Sequence, residues 1–403
     1  EPQAFPVRLW DVFGQAGHPV RATVEGMGSL LLSRLLDLNE TQSGILAIVF
    51  KVAQEKDWPL IDLKDLQSLL KEVYEHSSDY SAQYGNITKQ SVGAIQRSLL
   101  VLEEDGADQF FGEPALDLND FMQLDASGRG YINILSATKL FHSPKLYSTF
   151  LIWMLSRLFE TLPEVGDPEK PKLVFFFDEA HLLFKDASKL FLEKVEQVVR
   201  LIRSKGVGIY FITQNPQDLS ESVLAQLGNR VQHALRAYTP KEMKAIKVAA
   251  QSFRPNPDFD TETVITELGT GEALVSFLNE KGQPSVVERA YILSPQSSFD
   301  LLNESEQLAL ITTSPFHQKY ATTIDRESAY EKLAAKASKE AKEKEQKEAE
   351  KEEAAADKAA QKRSPGRPRK SSLEKAKDSF LSSLFRTIAR EIAKLIMGSF
   401  KRK

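Results

Sequence analysis

The fold of this 403-residue chain is decided by one stretch of its sequence, Leu173-Val174-Phe175-Phe176-Phe177-Asp178-Glu179-Ala180-His181. Its first five residues are apolar, and a continuous apolar run predicts a strand covered on both faces. Asp178 and Glu179 follow at once, so we expect them at the carboxyl end of that strand. In an open α/β sheet this edge is where ligands bind. The stretch therefore predicts a central strand with a polar site at its tip.

A second apolar run, Gly208-Ile209-Tyr210-Phe211-Ile212, ends in the polar residues Thr213-Gln214-Asn215-Pro216. The helical pattern of Ser188–Ser204 separates the two runs, as expected for one crossover between parallel strands. Further strands are predicted at Val7–Phe13, Gly130–Leu135, Arg230–Leu235, Glu272–Leu278 and Val286–Ile292, and a further helix at Pro144–Thr161. Strands that alternate with helices predict an α/β fold, a parallel-rich sheet flanked by helices on both faces.

Composition excludes several classes of protein. The chain has no cysteine, which excludes a disulfide scaffold, a cysteine-ligated metal site and a thiol nucleophile. No apolar run approaches the roughly 18 residues of a membrane-spanning helix. We therefore expect a cytoplasmic protein with no transmembrane segment.

Charge is distributed unevenly along the chain. The net charge of −4 hides a basic end, because residues 354–403 contain 14 Lys and Arg against 4 Asp and Glu. Residues 1–353 contain 38 basic and 52 acidic side chains. The acidic body is not expected to bind nucleic acid through bulk charge, whereas the basic tail could.

Changes in pattern predict six segments. Residues 1–27 begin the core, 28–105 form an all-helical insert with Thr41 as a helix N-cap, and 106–300 form the main α/β core. Residues 301–325 are a connector, 326–370 a charged low-complexity linker and 371–403 a basic amphipathic helix. The linker is expected to be a solvated helix or disordered, since its residues are mostly Ala, Glu, Lys and Gln.

The acidic pair after the first run has the placement of a Walker B motif. Asp178 could hold Mg²⁺ through its water shell, and Glu179 could polarise a water for attack on a γ-phosphate. Gln214, at the tip of the neighbouring strand, could donate to that phosphate and accept from the water. The alternatives are an acidic N-cap pair at a helix start and an ordinary Asn-Pro turn.

Taken together, these residues resemble the HerA–FtsK group of hexameric motor ATPases, and specifically the bacterial HerA-like helicases. The resemblance also includes Leu9–Gly14, Gly17–Arg21, Leu31–Leu36, Gly130–Ser136 and Leu227–Arg230. It implies a RecA-like P-loop NTPase core that binds ATP and Mg²⁺ and assembles as a homohexameric ring around DNA. Asp178 and Thr213 would then contact the cofactor, Glu179 would be the catalytic base and Gln214 the sensor. Arg230 or Arg236 would be the finger offered to the neighbouring subunit, unless each is a strand-edge surface arginine.

One departure from this family is decisive. The phosphate-binding loop G-x-x-x-x-G-K-[ST] occurs nowhere in the sequence. In the family that loop lies upstream of the segment that matches Glu1. We therefore expect an N-terminally incomplete chain that does not hydrolyse ATP by itself. The Asp-Glu-Ala-His sequence also names a second helicase superfamily, but the region after Thr239 is too short for its second domain.

The tail leaves other functions open. Gly366-Arg367-Pro368 resembles an AT-hook core, but it lacks the usual Arg before Gly, and a basic flexible linker is the preferred interpretation. The amphipathic segment Ser379–Phe400 could lie on an anionic membrane, but its few basic residues favour self-association, as in a coiled coil, or docking to a partner. Two alternatives to a DNA motor therefore stand: a non-catalytic scaffold with a remnant ATPase fold, and an ATPase of this fold that acts on non-DNA cargo.

Overall fold

The computed structural model of the chain describes residues 3–139, 143–166, 168–184, 189–298 and 300–361. These residues fall into two units that are divided after Lys336. The tail segments 364–370 and 379–400 lie outside the described residues, as do the predictions made for them. None of the described helices combines the length and apolar character of a membrane-spanning segment.

The described elements mix helices and strands, with an all-helical stretch near the start. The α-helices are α1 Val24–Leu35, α2 Glu40–Lys56, α3 Leu63–Glu75, α4 Ser77–Tyr84, α5 Lys89–Glu104, α6 Pro144–Thr161, α7 Lys189–Leu201, α8 Glu221–Leu224, α9 Pro240–Gln251, α10 Thr261–Glu267, α11 Glu304–Thr312, α12 Phe316–Tyr320 and α13 Ala329–Gln361. The strands are β1 Val7–Asp11, β2 His18–Pro19, β3 Ile132–Ser136, β4 Leu173–Phe177, β5 Val207–Phe211, β6 Arg230–Gln232, β7 Glu272–Ser276 and β8 Glu288–Tyr291.

The predicted α/β class with parallel strands is confirmed for the first five strands. β1 lies between β2 and β3 and is parallel to both, with Trp10 opposite His18 on one side and Leu135 on the other. β4 and β5 form a second parallel pair, and α7 makes the crossover between them. The predicted site residues Asp178, Glu179 and Gln214 follow the carboxyl ends of this second pair.

The structure differs from the predicted parallel-rich sheet with helices on both faces in two details. The last three strands form a separate antiparallel sheet in the order β6-β7-β8. The connection between β7 and β8 turns back at Asn279–Gly282 and is too short for a parallel crossover. The runs at β3 and β4 are also not buried throughout, since Ile134 is 48% and Phe176 is 65% exposed. Side chains alternate along each strand, and only one face of β4 packs on the core.

The helical stretch Val24–Glu104 supplies many of the largest fully buried side chains of the core. Its fully buried side chains come from successive faces of α2 and α3, namely Ile45, Leu46, Leu66, Leu69 and Leu70. Asn39, and not Thr41, caps α2, because Asn39 and Gln42 make a reciprocal capping box. The predicted segment boundaries stay predictions. The predicted connector contains α11 and α12, and the predicted linker is helical from Ala329 to Gln361.

Two buried apolar clusters organise the first unit. The larger one joins the helical stretch, α6, α7 and the first two sheets, and the smaller one lies between α9, α10 and the antiparallel sheet. The acidic tip of β4 lies at the edge of the larger cluster, since Phe177 and Ala180 on either side of it are both buried there.

Candidate active site

The tips of β4 and β5 are joined by backbone hydrogen bonds beyond the ends of both strands. The Ile212 N–H donates to the Phe177 carbonyl at 2.9 Å, and the Ala180 N–H donates to the Ile212 carbonyl at 2.9 Å. The turn that contains Asp178 and Glu179 is therefore fixed against the end of β5. This arrangement brings the acidic pair and Gln214 to the same edge of the sheet, as the sequence predicted.

Glu179 has a left-handed backbone conformation, with φ 49° and ψ 47°. Non-glycine residues rarely adopt it, and such strained positions cluster at functional sites. The carboxylate of Asp178 accepts the Glu179 N–H at 3.0 Å, which stabilises the turn from within. The left-handed residue ends the strand sharply and directs the Glu179 side chain toward the tip of β5.

The side chains of Glu179 and Gln214 are in direct contact. Gln214 Nε2 donates to Glu179 Oε1 at 3.1 Å. Nδ1 of His181 lies 3.2 Å from the other carboxylate oxygen, Oε2, which is shielded from solvent and accepts no hydrogen bond among the described residues. One oxygen is thus oriented by the amide of Gln214, while the other lies beside an imidazole.

Tyr147 is a site residue that the sequence analysis missed. It lies in the first turns of α6, and its hydroxyl donates to the Asp178 carbonyl at 3.0 Å. Burial, with further contributions from the charges of Asp178 and Glu179, raises the pKa of Tyr147 to about 12. The phenol therefore stays protonated and acts as a fixed donor. No sequence signal separates Tyr147 from the other aromatic residues of α6.

Thr213 is engaged with the turn that follows β5. Its hydroxyl donates to Asp218 Oδ2 at 3.1 Å and accepts the Asn215 N–H at 3.4 Å. It thereby fixes the short helical turn Pro216–Asp218, which begins two residues after Gln214. Asp218 was also missed, although its place in the sequence Asn-Pro-Gln-Asp indicates a structured turn.

The two candidate finger arginines bind helix ends within this chain. Arg230 donates to the carbonyl of Ser252, the C-cap of α9, at 2.7 Å. Arg236 donates to the carbonyls of Thr266 and Leu268 at the end of α10. Cationic side chains favour helix C-termini, where carbonyls lack partners inside the helix. The described contacts bring neither guanidinium to Glu179 or Gln214.

The chemistry of the residues present is compatible with Mg²⁺. Asp178 offers an exposed carboxylate at the strand tip, and Mg²⁺ prefers oxygen ligands. No cluster of three or more His, Cys, Asp or Glu side chains suited to a metal occurs in the described ranges. That donor set fits an ion held by one or two carboxylates, water and substrate phosphates rather than an all-protein cage.

Comparisons with known proteins point to one family. The profile described as helicase HerA-like, C-terminal, matches residues 1–403. The DNA double-strand break repair helicase HerA of Saccharolobus solfataricus is 24% identical over 211 residues, which cover 52% of this chain and 40% of that protein. The probable helicase MJECL08 of Methanocaldococcus jannaschii is 30% identical over 120 residues, 29% of this chain and 21% of that protein. The chain therefore spans less than half the length of these curated relatives.

Solved structures with a similar arrangement include the plasmid coupling protein TrwB. Its complex with ADP and Mg²⁺ aligns with a TM-score of 0.47 at 12% identity, over 73% of this chain and 74% of that chain. Its complex with a non-hydrolysable ATP analogue aligns with a TM-score of 0.47 at 11% identity, over 74% and 75% of the two chains.

Proposed function

The chain belongs to the HerA-like C-terminal helicase family, and we propose that it supplies the water-activating half of an ATP-driven DNA motor. In this proposal Glu179 is the general base and Gln214 senses the γ-phosphate. Asp178 would hold Mg²⁺ through the water shell of the ion. The functional assembly is a homohexameric ring around DNA. The relatives that carry a helicase name support this choice of activity.

The contact between Glu179 and Gln214 is the observation that carries the proposal. A side-chain amide that donates to the base fixes the direction of the carboxylate, and it can exchange that contact for a phosphate oxygen when nucleotide enters. Glu179 then accepts a proton from the attacking water, which Gln214 orients. When bound, Mg²⁺ would neutralise charge on the phosphates. Tyr147 keeps the acidic turn in place through the Asp178 carbonyl.

The proposal needs a phosphate-binding backbone that these 403 residues do not supply, since no G-x-x-x-x-G-K-[ST] sequence occurs among them. We therefore expect the chain alone to show no steady ATP turnover. Arg230 or Arg236 remains the proposed finger. Either guanidinium would first have to release a helix-terminal carbonyl.

The test begins with the coding sequence before Glu1, where we expect a strand followed by the missing loop. In the protein that includes that segment, Glu179→Gln should abolish ATP hydrolysis while nucleotide binding persists. Glu169→Gln, at an exposed residue before β4, is the matched control and should hydrolyse ATP normally.

Two results would contradict the proposal. The first is an open reading frame that truly starts at Glu1, which would favour the non-catalytic scaffold. The second is ATP turnover that survives Glu179→Gln. DNA-independent turnover would favour the alternative of an ATPase that acts on other cargo.

A further inference from the structure

Helix α9 presents a row of lysines on its outer face. Lys241, Lys244 and Lys247 recur every three residues, and all three are exposed. Residues three apart are neighbours on a helix surface. Ile246 and Ala249 are buried at 2% and 1% on the opposite face, where they pack into the smaller apolar cluster. The orientation of α9 is therefore fixed by its core, and the lysine row faces away from it.

The sequence around this row is basic, whereas residues 1–353 are acidic as a whole. Residues 230–254 contain six Lys and Arg and a single acidic residue, Glu242. Glu242 is occupied by the capping box of α9, where its carboxylate accepts the N–H groups of Tyr238 and Thr239. Among ion pairs between described residues, none includes the three lysines. Within the part of the chain that the structure describes, these three ammonium groups therefore make no direct ion pair.

An aromatic ring stands at the start of the same helix. Tyr238 directly precedes Thr239, the N-cap of α9, and is 89% exposed. Its backbone N–H is held by Glu242, so the residue is fixed at its backbone while its side chain lies in solvent. A cationic row beside an exposed aromatic ring has the composition of single-strand nucleic-acid surfaces, in which lysines follow phosphates and rings stack on bases.

The row is also connected to the candidate active site. The turn Pro216–Asp218, which begins two residues after Gln214, contacts α9. Asp218 in that turn is held by the Thr213 hydroxyl. One short, hydrogen-bonded segment therefore links Gln214 to α9.

We propose that the outer face of α9, with Tyr238 at its start, is a contact surface for single-stranded DNA. Lys241, Lys244 and Lys247 bind successive phosphates, and the Tyr238 ring stacks on a base. The choice of DNA as the partner rests on the proposed function. The location of the contact rests on the charges and exposure of α9. The binding test is done without nucleotide, so its outcome does not depend on whether the protein hydrolyses ATP.

The experiment measures binding of a fluorescein-labelled 20-nucleotide oligo-dT to the full chain by anisotropy, at several salt concentrations and without ATP. We expect the triple variant K241Q/K244Q/K247Q to bind about tenfold or more weakly at low salt. The magnitude of its log–log salt slope should fall by about 2, because each single-strand phosphate contact contributes roughly 0.7. Glutamine keeps the helix propensity, so circular dichroism should be unchanged.

The matched control is K342Q/K344Q/K347Q on α13, which removes the same charge from exposed lysines that lie among glutamates. It should bind like the wild type. For the ring, Tyr238→Ala should weaken binding about fivefold or more, whereas Tyr238→Phe should stay within about twofold, because stacking needs the ring and not the hydroxyl.

Two outcomes would overturn the proposal. If the α9 variant binds like the wild type while R363Q/R367Q/R369Q loses binding, the basic tail is the DNA contact. If the α9 variant weakens binding but Tyr238→Ala does not, and duplex DNA binds as well as oligo-dT, the surface does not select single strands. A Glu179→Gln protein that fails to hydrolyse ATP but binds oligo-dT would leave this inference intact.

Discussion

The two parallel sheets differ in how far the aromatic residues on one of their faces are exposed to solvent. In the first sheet Trp10 is 1% exposed, and its ring contacts the rings of His18, Phe121 and Tyr320 at centroid distances of 5.4, 5.0 and 5.5 Å. In the second sheet Phe176 stacks on Tyr210 at 4.6 Å, yet these side chains are 65% and 56% exposed. A ring pair alone therefore does not bury a strand.

The difference comes from segments that are distant in sequence. Helix α12 covers the first sheet, and it is held there because the Tyr320 hydroxyl donates to the buried carboxylate of Asp120 at 2.5 Å. Lys319 pairs with the same carboxylate at 2.8 Å. In the described parts of the chain, no segment covers the Phe176 face of the second sheet in this way. Coverage by a distant helix, and not the strand sequence, closes the Trp10 face of the first sheet, whereas its other face stays partly open at Ile134, which is 48% exposed.

The largest expected effect is that of Trp10→Ala on the covered face of the first sheet. Removing a fully buried indole leaves a cavity among rings that cannot collapse onto it, at a cost of roughly 3–5 kcal/mol of unfolding free energy. Urea denaturation followed by circular dichroism measures the loss. Trp10→Phe is the control and should lose clearly less, because a ring still fills most of the site. A loss of unfolding free energy below about 1 kcal/mol for the alanine variant would show that the Trp10 face of the first sheet is not covered as described.

A smaller effect on the unfolding free energy is expected from pH, through His18 in the same sheet. His18 is 1% exposed, and neither ring nitrogen has a hydrogen-bond partner among the described residues. Burial, together with the nearby positive charges of His317 and Arg8, lowers the pKa of His18 to about 4. The unfolded chain binds the proton near pH 6.5, so unfolding is favoured as the pH falls below that value.

The free energy of unfolding should therefore decrease by roughly 3 kcal/mol between pH 6.5 and pH 4 and then level off for this group. Urea denaturation at half-unit pH steps measures the slope. His18→Phe keeps an aromatic ring in the site and should flatten that part of the profile. An unchanged slope in this variant would assign the pH dependence to other groups.

The sequence predicted local structure well wherever neighbouring residues decide it. The helix at Pro144–Thr161 begins and ends where its pattern indicated. The proximity of Glu179 to Gln214 followed from the rule that parallel strands end at one edge. The cap of α2 was assigned to Thr41, but the signal for Asn39 was present, since only Asn39 has a glutamine three residues later.

Contacts between distant segments could not be predicted in this way. Whether a face of β4 is exposed depends on which distant segments pack against it. Five consecutive apolar residues do not indicate that. Arg236 binds carbonyls about 30 positions further along the chain, so its local sequence resembles that of a free strand-edge arginine. In the third sheet, the short return between β7 and β8 makes this pair antiparallel, and the patterns of the two strands do not themselves specify direction.

The smallest effect is expected for Phe176→Ser in the open sheet, and it tests the comparison most directly. The side chain is mostly in solvent and its partner Tyr210 is exposed as well, so the unfolding free energy should change by no more than about 0.5–1 kcal/mol. Phe177→Ser, one residue along at 2% exposure, is the matched control and should cost several times more. The two variants differ only in which face of β4 they alter. Equal losses of unfolding free energy would therefore mean that the Phe176 face is covered in solution. The distinction between the covered Trp10 face and the open Phe176 face would then fail.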